Sequence, residues 1–320
     1  MGFITMNRLE VARLLRKESG FVLLITLLIV LLFVVIIFEI DFQARADRRA
    51  AGNFRDDLAA YYVALSGITA EKAILEDDQK NAGSTDYLNE LWAGTSPPFP
   101  IGDGTASGHI TDERGKFNLN SLLDHPTLTT DKINAFKKAQ LERLFELLLV
   151  DPHLVDPIID WIDIGSDSEQ YGAEDETYQV LKFPYSTKNG PLDTLEEILY
   201  IKGITQDIYQ TISPYLTVYI ADGKINVNTA DPIILQSIDK RIDESTAKSL
   251  MENMPYSNVT SFCDALGSAI CKLNTTFQNF FDVQSSIFSI VATGTVRNTS
   301  KTIHAVWDRA KKQYLYFKVE

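Results

Sequence analysis

Seven carboxylates fall within residues 160–178: Asp160, Asp163, Asp167, Glu169, Glu174, Asp175 and Glu176. At neutral pH such a cluster repels itself, so a loop that keeps it compact needs solvent screening or a cation. Trp161, Ile162 and Tyr171 among the acids mark a loop that folds. All-oxygen donors without His or Cys point to a hard cation. Calcium, which takes roughly six to eight oxygen ligands in flexible geometry, suits them better than magnesium or a transition metal. The spacing is not that of a helix–loop–helix calcium hand. A solvated acidic surface is the other reading. A carboxylate pair acting as acid and nucleophile on a glycoside is a third, though no sugar-stacking groove accompanies it.

Other reactive residues give less. Cys263 and Cys271 are the two cysteines, and their spacing allows a disulfide across a small loop, with two buried free thiols as the alternative. His109, His125, His153 and His304 are scattered, and there is no Gly-x-Ser-x-Gly elbow or nearby Cys–His pair, so the chain is not expected to be an enzyme. Gly102, Gly104 and Gly108 lack the spacing of a dinucleotide fingerprint. A net charge of -13 argues against a broad nucleic-acid surface and suits cations.

The elements that must hold the acids begin at a membrane. Residues 21–38 contain no charged side chain. As a helix rising about 1.5 Å per residue they span about 27 Å, close to the thickness of a bilayer core. Arg8, Arg13, Arg16 and Lys17 precede the run and Glu39 and Asp41 follow it, which places the N-terminus in the cytoplasm and the rest outside. A secretory cleavage site is not visible after Phe38. Phe54, Leu58, Tyr61, Leu65 and Ile68 recur at helical steps, so the helix is expected to continue to about residue 78 with this stripe packed on a head.

Beyond it, residues 81–108 read as loop with a short helix at 87–92, and residues 109–122 as two strands around a turn at Arg114-Gly115. A helix is expected over 130–150. Two helical pairs follow, over 192–216 and 231–254, and each resembles a helix-hairpin-helix unit. Their Lys202, Lys240 and Arg241 are surrounded by Glu196, Glu197, Asp207, Asp239 and Asp243, which argues against DNA. Residues 287–297, 302–307 and 314–319 form an antiparallel meander.

Several stretches carry a resemblance. The basic leader ending at Gly20, followed by Phe21 and the apolar run, resembles the signal of type IV pilins and pseudopilins. Arg114-Gly115-Lys116-Phe117-Asn118-Leu119-Asn120, the sequence Asp160-Trp161-Ile162-Asp163 with Gly172-Ala173-Glu174-Asp175, and Asn226-Val227-Asn228-Thr229-Ala230 resemble the minor pseudopilin K family of type II secretion. Ile25 stands where most pseudopilins carry Glu as the fifth mature residue, an absence typical of the K type. Gly165 stands where the family often has Asp.

The resemblance implies an α+β fold: a pilin-like long helix packed on an antiparallel sheet, with a large all-α insertion. It implies a leader over 1–20, a membrane anchor and helical spine over 21–80, a sheet domain over 81–121 and 282–320, and the insertion over 122–281. Calcium ligands then fall at Asp160, Asp163, Asp167, Glu174, Asp175 and Asn189, with processing between Gly20 and Phe21 by prepilin peptidase and methylation of Phe21. The implied role is a subunit at the pseudopilus tip, binding the I and J minor pseudopilins and starting assembly on the inner-membrane platform of a Gram-negative bacterium, with a periplasmic head. The outer-membrane secretin and exported proteins are further expected partners. The alternatives are a membrane-anchored hydrolase using the acidic loop and a DNA-uptake receptor using the helical pairs.

Overall fold

The computed structural model describes residues 8–81, 83, 85–124, 132–220, 222–271 and 277–320, without the side chains of 8–19, 268, 277 and 278. Leader residues 1–7, His125, and residues 130–131 of the expected helix lie outside the described residues. The chain divides into two units, with the boundary between Ala59 and Ala60.

Helix α1 (Arg8–Asn81) forms the described part of the first unit and opens the second. No proline interrupts it, and residues 21–38 are exposed along their length although all but Thr26 are apolar. Among the described residues this is the one helix long and apolar enough to cross a membrane.

The second unit continues with β1 (Thr95–Ile101), β2 (Gly104–Asp112), β3 (Phe117–Asn118), α2 (Ala135–Leu147), α3 (Val155–Ile162), α4 (Asp175–Gln179), α5 (Gln206–Ile212), β4 (Leu216–Thr217), β5 (Ile225–Asn226), α6 (Pro232–Ile238), α7 (Glu244–Glu252), α8 (Val259–Leu266), α9 (Ser268–Cys271), β6 (Phe281–Asp282), β7 (Ile287–Val296), β8 (Thr299–Asp308) and β9 (Gln313–Val319). One antiparallel sheet runs β1-β2-β7-β8-β9, with β2 paired to β7 from Thr105↔Thr295 to Asp112↔Phe288. Long helix, antiparallel sheet and inserted helices are therefore the architecture expected.

Several local expectations are corrected. Residues 81–108 are not only loop: β1 and half of β2 lie there, and the helix expected at 87–92 is a single tight turn, Leu91–Ala93. Pro97, Pro98 and Pro100 hide β1 from a pattern search, yet an edge strand tolerates them because its outer N–H groups need no partner. The short strand β3 leaves the main sheet and pairs in parallel with β4, Phe117 opposite Leu216. Helix α2 starts only at Ala135, capped by the Asn134 side chain, which accepts the Lys137 N–H. Residues 195–200 form a 3-10 turn, with the Glu197 carboxylate accepting the N–H groups of Asp193 and Thr194 at 2.8 Å each.

The largest correction concerns how α1 meets the sheet. Of the expected stripe, Phe54 and Leu58 are exposed, Tyr61 and Leu65 half-buried and Ile68 fully buried, and Ala60, Ala64 and Leu75 are fully buried beside it. Small residues let the backbones approach. A Cβ at Gly294 would lie 2.2 Å from Ala64 N and 2.4 Å from Ala60 O, so only glycine fits.

Two apolar cores result. One lies between α1 and the sheet, around Ile68, Trp92, Ile110, Phe288 and Trp307. The other gathers Leu141 and Phe145 of α2, Ile158 and Ile162 of α3, Ile234 of α6 and Phe262 of α8. Cys263 and Cys271 are joined as a disulfide beside the second core, their Cα atoms 5.4 Å apart. Lys137 is buried there as well. Its ammonium donates to Gly223 O at 2.8 Å and lies 5.4 Å from the ring centres of Phe117 and Phe280. Burial pulls its pKa down to about 7, against a smaller opposing pull from Asp222.

Two predictions follow from these contacts. Gly294→Ala should destabilise the folded chain by about 2–3 kcal/mol, read as a lower melting midpoint in detergent micelles. Between about pH 7 and the ordinary lysine value of 10.5, the unfolded chain binds a proton at Lys137 that the folded chain does not. Stability should therefore rise with pH across that window, by up to about 1.4 kcal/mol per unit. Lys137→Met should remove that rise from melting midpoints measured at pH 7 and pH 9.

Candidate metal centre

Helix α3 positions the first acids. All eight of its residues are buried, Asp156 and Asp160 among them. The two acids lie one turn apart and turn toward the loop that follows, so they must be met by donors. Asp160 accepts the N–H of Glu169 at 3.0 Å and of Ala173 at 2.6 Å. A Cβ at Gly172 would lie 1.8 Å from Asp160 Oδ2, so the glycine is what lets the loop close over this carboxylate. Asp156 accepts the Tyr171 N–H at 3.1 Å and pairs with Lys138 at 2.7 Å, and Lys138 reaches Glu169 at the same distance. Two buried acids and one lysine thus fold residues 163–174 over the end of α3.

The acids that remain converge on Glu174. This side chain is buried at the N-cap of α4, and its Oε1 has no hydrogen-bond partner. Burial first, and then the charges of Asp160, Asp163 and Asp175, push its pKa up to about 7. Asp163 caps the end of α3 and accepts the Gly165 N–H at 3.2 Å. Asp175 accepts both the N–H of Thr187, at 2.7 Å, and its hydroxyl, at 2.8 Å, which holds its carboxyl below the usual value. The Thr187 hydroxyl lies equally close to Asn189 Oδ1, 2.8 Å away. One proton cannot serve both oxygens, so a carboxylate and an amide oxygen stand together around a single donor. Asn189 is fixed in turn by a left-handed backbone, φ 49°, and by its N–H donating to Trp161 O at 3.1 Å.

Of the six residues singled out in the sequence, Asp160, Asp163 and Asp175 lie close enough to Glu174 to raise its pKa, and Thr187 links Asp175 to Asn189. Asp160 has both oxygens committed to backbone N–H groups and serves the loop. Asp167 is exposed on the loop's outer side. Asp156, Lys138 and Thr187 were not singled out. The spacing of Asp156 and Asp160 is the one signal that would have found a member of this set, once α3 is recognised as a helix. An orphaned buried carboxylate oxygen near further carboxylates is a donor type that suits a hard divalent cation, but among the described residues the acids of this loop do not bring three ligand oxygens within 4.8 Å of one another. A second acidic group, Asp78, Asp86 and Glu90, has its oxygens within 4.8 Å of one another; Arg309 lies 3.2 Å from Asp78 and 2.7 Å from Asp86, while Glu90 Oε1 has no hydrogen-bond partner.

Two of the three basic residues singled out in the helical pairs, Lys202 and Arg241, have partners within the chain, and Lys240 is exposed. Lys202 donates to Gly172 O at 3.2 Å, and Arg241 pairs with Asp239 at 2.7 Å.

The family model for type II secretion system (T2SS), protein K matches residues 115–221, which include the acidic loop. Type II secretion system protein K of Aeromonas hydrophila is 26% identical over 94% of this chain and 96% of its own length. That of Pseudomonas aeruginosa is also 26% identical, over 74% of this chain and 72% of its own. Among solved structures, the GspK-GspI-GspJ complex of the enterotoxigenic Escherichia coli type 2 secretion system contains a chain of the same fold. The TM-score is 0.70 at 20% identity, covering 86% of this chain and 99% of that one. Full-length relatives, a family match across the acidic loop and a shared fold agree, and over most of its length the chain is similar to type II secretion system protein K.

Proposed function

We propose that this chain is a minor pseudopilin of type II secretion that caps the pseudopilus tip in a complex with the I and J minor pseudopilins. The observation that carries the reading is the fold shared, over nearly the whole of the other chain, with a protein solved in a GspK-GspI-GspJ complex. Residues 21–38 anchor the chain in the inner membrane, with a cytoplasmic N-terminus and a periplasmic head, after prepilin peptidase cuts between Gly20 and Phe21 and methylates Phe21. The assembly platform, the secretin and exported proteins are the further partners this role entails.

Within that role the acidic loop is a structural calcium site. Asp163, Glu174, Asp175 and Asn189 supply the oxygens, and Asp160 holds the loop in shape. Bound calcium contributes the positive charge that the orphaned Glu174 carboxylate lacks and joins α3, α4 and the segment around Asn189. Its part is to fix shape, and no reaction is routed through it.

Three measurements test this. Co-expressed I and J subunits should co-purify with the chain, and recovery of the chain alone would overturn the tip reading. The mass of membrane-extracted chain should correspond to a start at Phe21 with one added methyl group, and an uncut mass would overturn the processing reading. For the full chain in micelles, calcium at about a hundred times its dissociation constant should add about 2.7 kcal/mol of apparent stability over chelator. Glu174→Gln and Asp163→Ala should each remove that gain, and a melting midpoint indifferent to calcium in the unaltered chain would overturn the metal reading.

A further inference from the structure

The two edges of the five-stranded sheet are finished differently. At one edge β1 carries Pro97, Pro98 and Pro100, which remove main-chain donors and close that edge to pairing. At the other, β9 has no proline, and every residue of it but Tyr316 is exposed. Its single charged residue, Lys318, is paired with Glu320 at 2.6 Å. Edges are usually blunted by proline or by charge, and β9 is blunted by little of either.

The ladder to β8 shows which main-chain groups are left over. The Thr302 N–H donates to Glu320 O at 3.1 Å, and the Glu320 N–H to Thr302 O at 2.8 Å. In an antiparallel ladder such doubly bonded pairs alternate with pairs whose N–H and C=O groups turn away from each other. Val319 opposite Ile303 and Phe317 opposite Ala305 are of the second kind. Their N–H and C=O groups therefore point out of the sheet, beyond which no described strand lies. The register is irregular only between Val306 and Trp307, so residues 316–320 form an even template.

The side chains give this template two unlike faces. Ile303 and Ala305 are buried in the core under α1, whereas their neighbours Val319 and Phe317 are 41% and 40% exposed. The apolar layer thus runs off the edge of the sheet. On the other face Tyr316 is half-buried, its ring centre 6.3 Å from that of Tyr219, and Lys318 meets Glu320.

Main-chain chemistry selects the occupant. An N–H and a C=O turned outward at every second residue are matched by another extended main chain. A helix has its own groups already bonded to one another, and a lipid tail has none to offer. A second copy of this chain would bring one net charge of -13 against another, which opposes self-pairing.

We propose that β9 is a strand-addition site, where an extended segment of another polypeptide pairs with the main chain of Phe317 and Val319 as a sixth strand. Its apolar side chains lie beside Phe317 and Val319 on the α1 face, and its polar ones on the other. The inference rests on neither the calcium reading nor the tip assignment.

The test uses the full chain in nanodiscs, with empty nanodiscs as the blank and anisotropy as the readout. One fluorescent peptide alternates Val and Thr; a second, of the same sequence, is N-methylated at every residue, which removes its N–H donors and keeps its side chains. The first should bind at least about tenfold tighter than the second. Val319→Pro, which removes an N–H that the ladder to β8 does not use, should weaken binding at least about tenfold at an unchanged melting midpoint. Hydrogen exchange at the Phe317 and Val319 amides should slow on adding the peptide, while the Lys318 and Glu320 amides, already bonded to β8, stay as they were. If Val319→Pro melts lower, the exchange pattern and the N-methylated peptide decide. Absent binding, equal binding of the two peptides, exchange that stays unchanged at Phe317 and Val319, or undiminished binding by a Val319→Pro chain of unchanged midpoint overturns the proposal. So does self-association of the chain that Val319→Pro abolishes, which would assign the edge to a second copy.

Discussion

Asn226 stands where the sheet and the inserted helices meet, and its amide group faces acceptors from three parts of the chain. Its Nδ2 lies 3.0 Å from Asp86 O, 3.2 Å from Asp112 Oδ2 and 2.9 Å from Ser285 Oγ, while its Oδ1 accepts the Asn228 N–H at 3.0 Å. Asp112 ends β2 in a fully buried position and also receives the hydroxyls of Thr229 and Ser285 and the N–H of Arg114. Burial pushes its pKa up to about 6, and the donors pull the other way. A buried carboxylate without donors would destabilise this junction by several kcal/mol, so one register of the 226–229 segment against β2 is strongly preferred. Asn228 repeats the device one step on, accepting the Tyr256 N–H at 2.7 Å and donating to Tyr256 O at 3.0 Å. Two asparagines thereby bind sheet, insertion and the segment after α7 into one register.

The same logic governs the acidic loop, with a different outcome. At Asp112 every acceptor meets a donor of the chain itself. At Asp160 backbone N–H groups do the same, which is why that acid reads as framework. Glu174 is the exception: it is buried, surrounded by three more carboxylates, and one oxygen finds nothing. Folded chains rarely leave such a group uncompensated. The contrast between two well-met acids and one orphan carries the cation reading further than the count of carboxylates does.

Legibility in the sequence followed the strength of the local signal. The apolar run at 21–38, the β-branched strands of the C-terminal meander and the acids at 160–178 were plain, because hydrophobicity, period and charge are local properties. The contact between α1 and the sheet was not. Ala60, Ala64 and Gly294 matter through what they lack, and a search for large apolar residues shifts the stripe to Tyr61 and Leu65, beside the true face. Helix α3 was obscured by Pro157 and by the two acids that it buries. β1 was obscured by its prolines, which only its edge position permits. At the candidate centre, donor types were legible. The division of labour between Asp160 and Glu174 was not, since it depends on which backbone N–H groups the loop turns inward.

Placement of the acids and exposure of Val180, Leu181 and Phe183 are two consequences of one fold in the loop. Asp156 and Asp160 draw residues 169–173 back over α3, which brings Glu174 and the start of α4 to the helix end. Because α4 is only five residues long, the chain emerges again at Val180 with little room to turn its apolar side chains inward. The space beneath is already filled by Trp161, Tyr178 and Tyr185, with Trp161 and Tyr178 ring centres 5.4 Å apart and Tyr178 and Tyr185 5.2 Å apart. A core filled by its own aromatic rings has no place for Val180 or Phe183. Their exposure is therefore a property of the packed state.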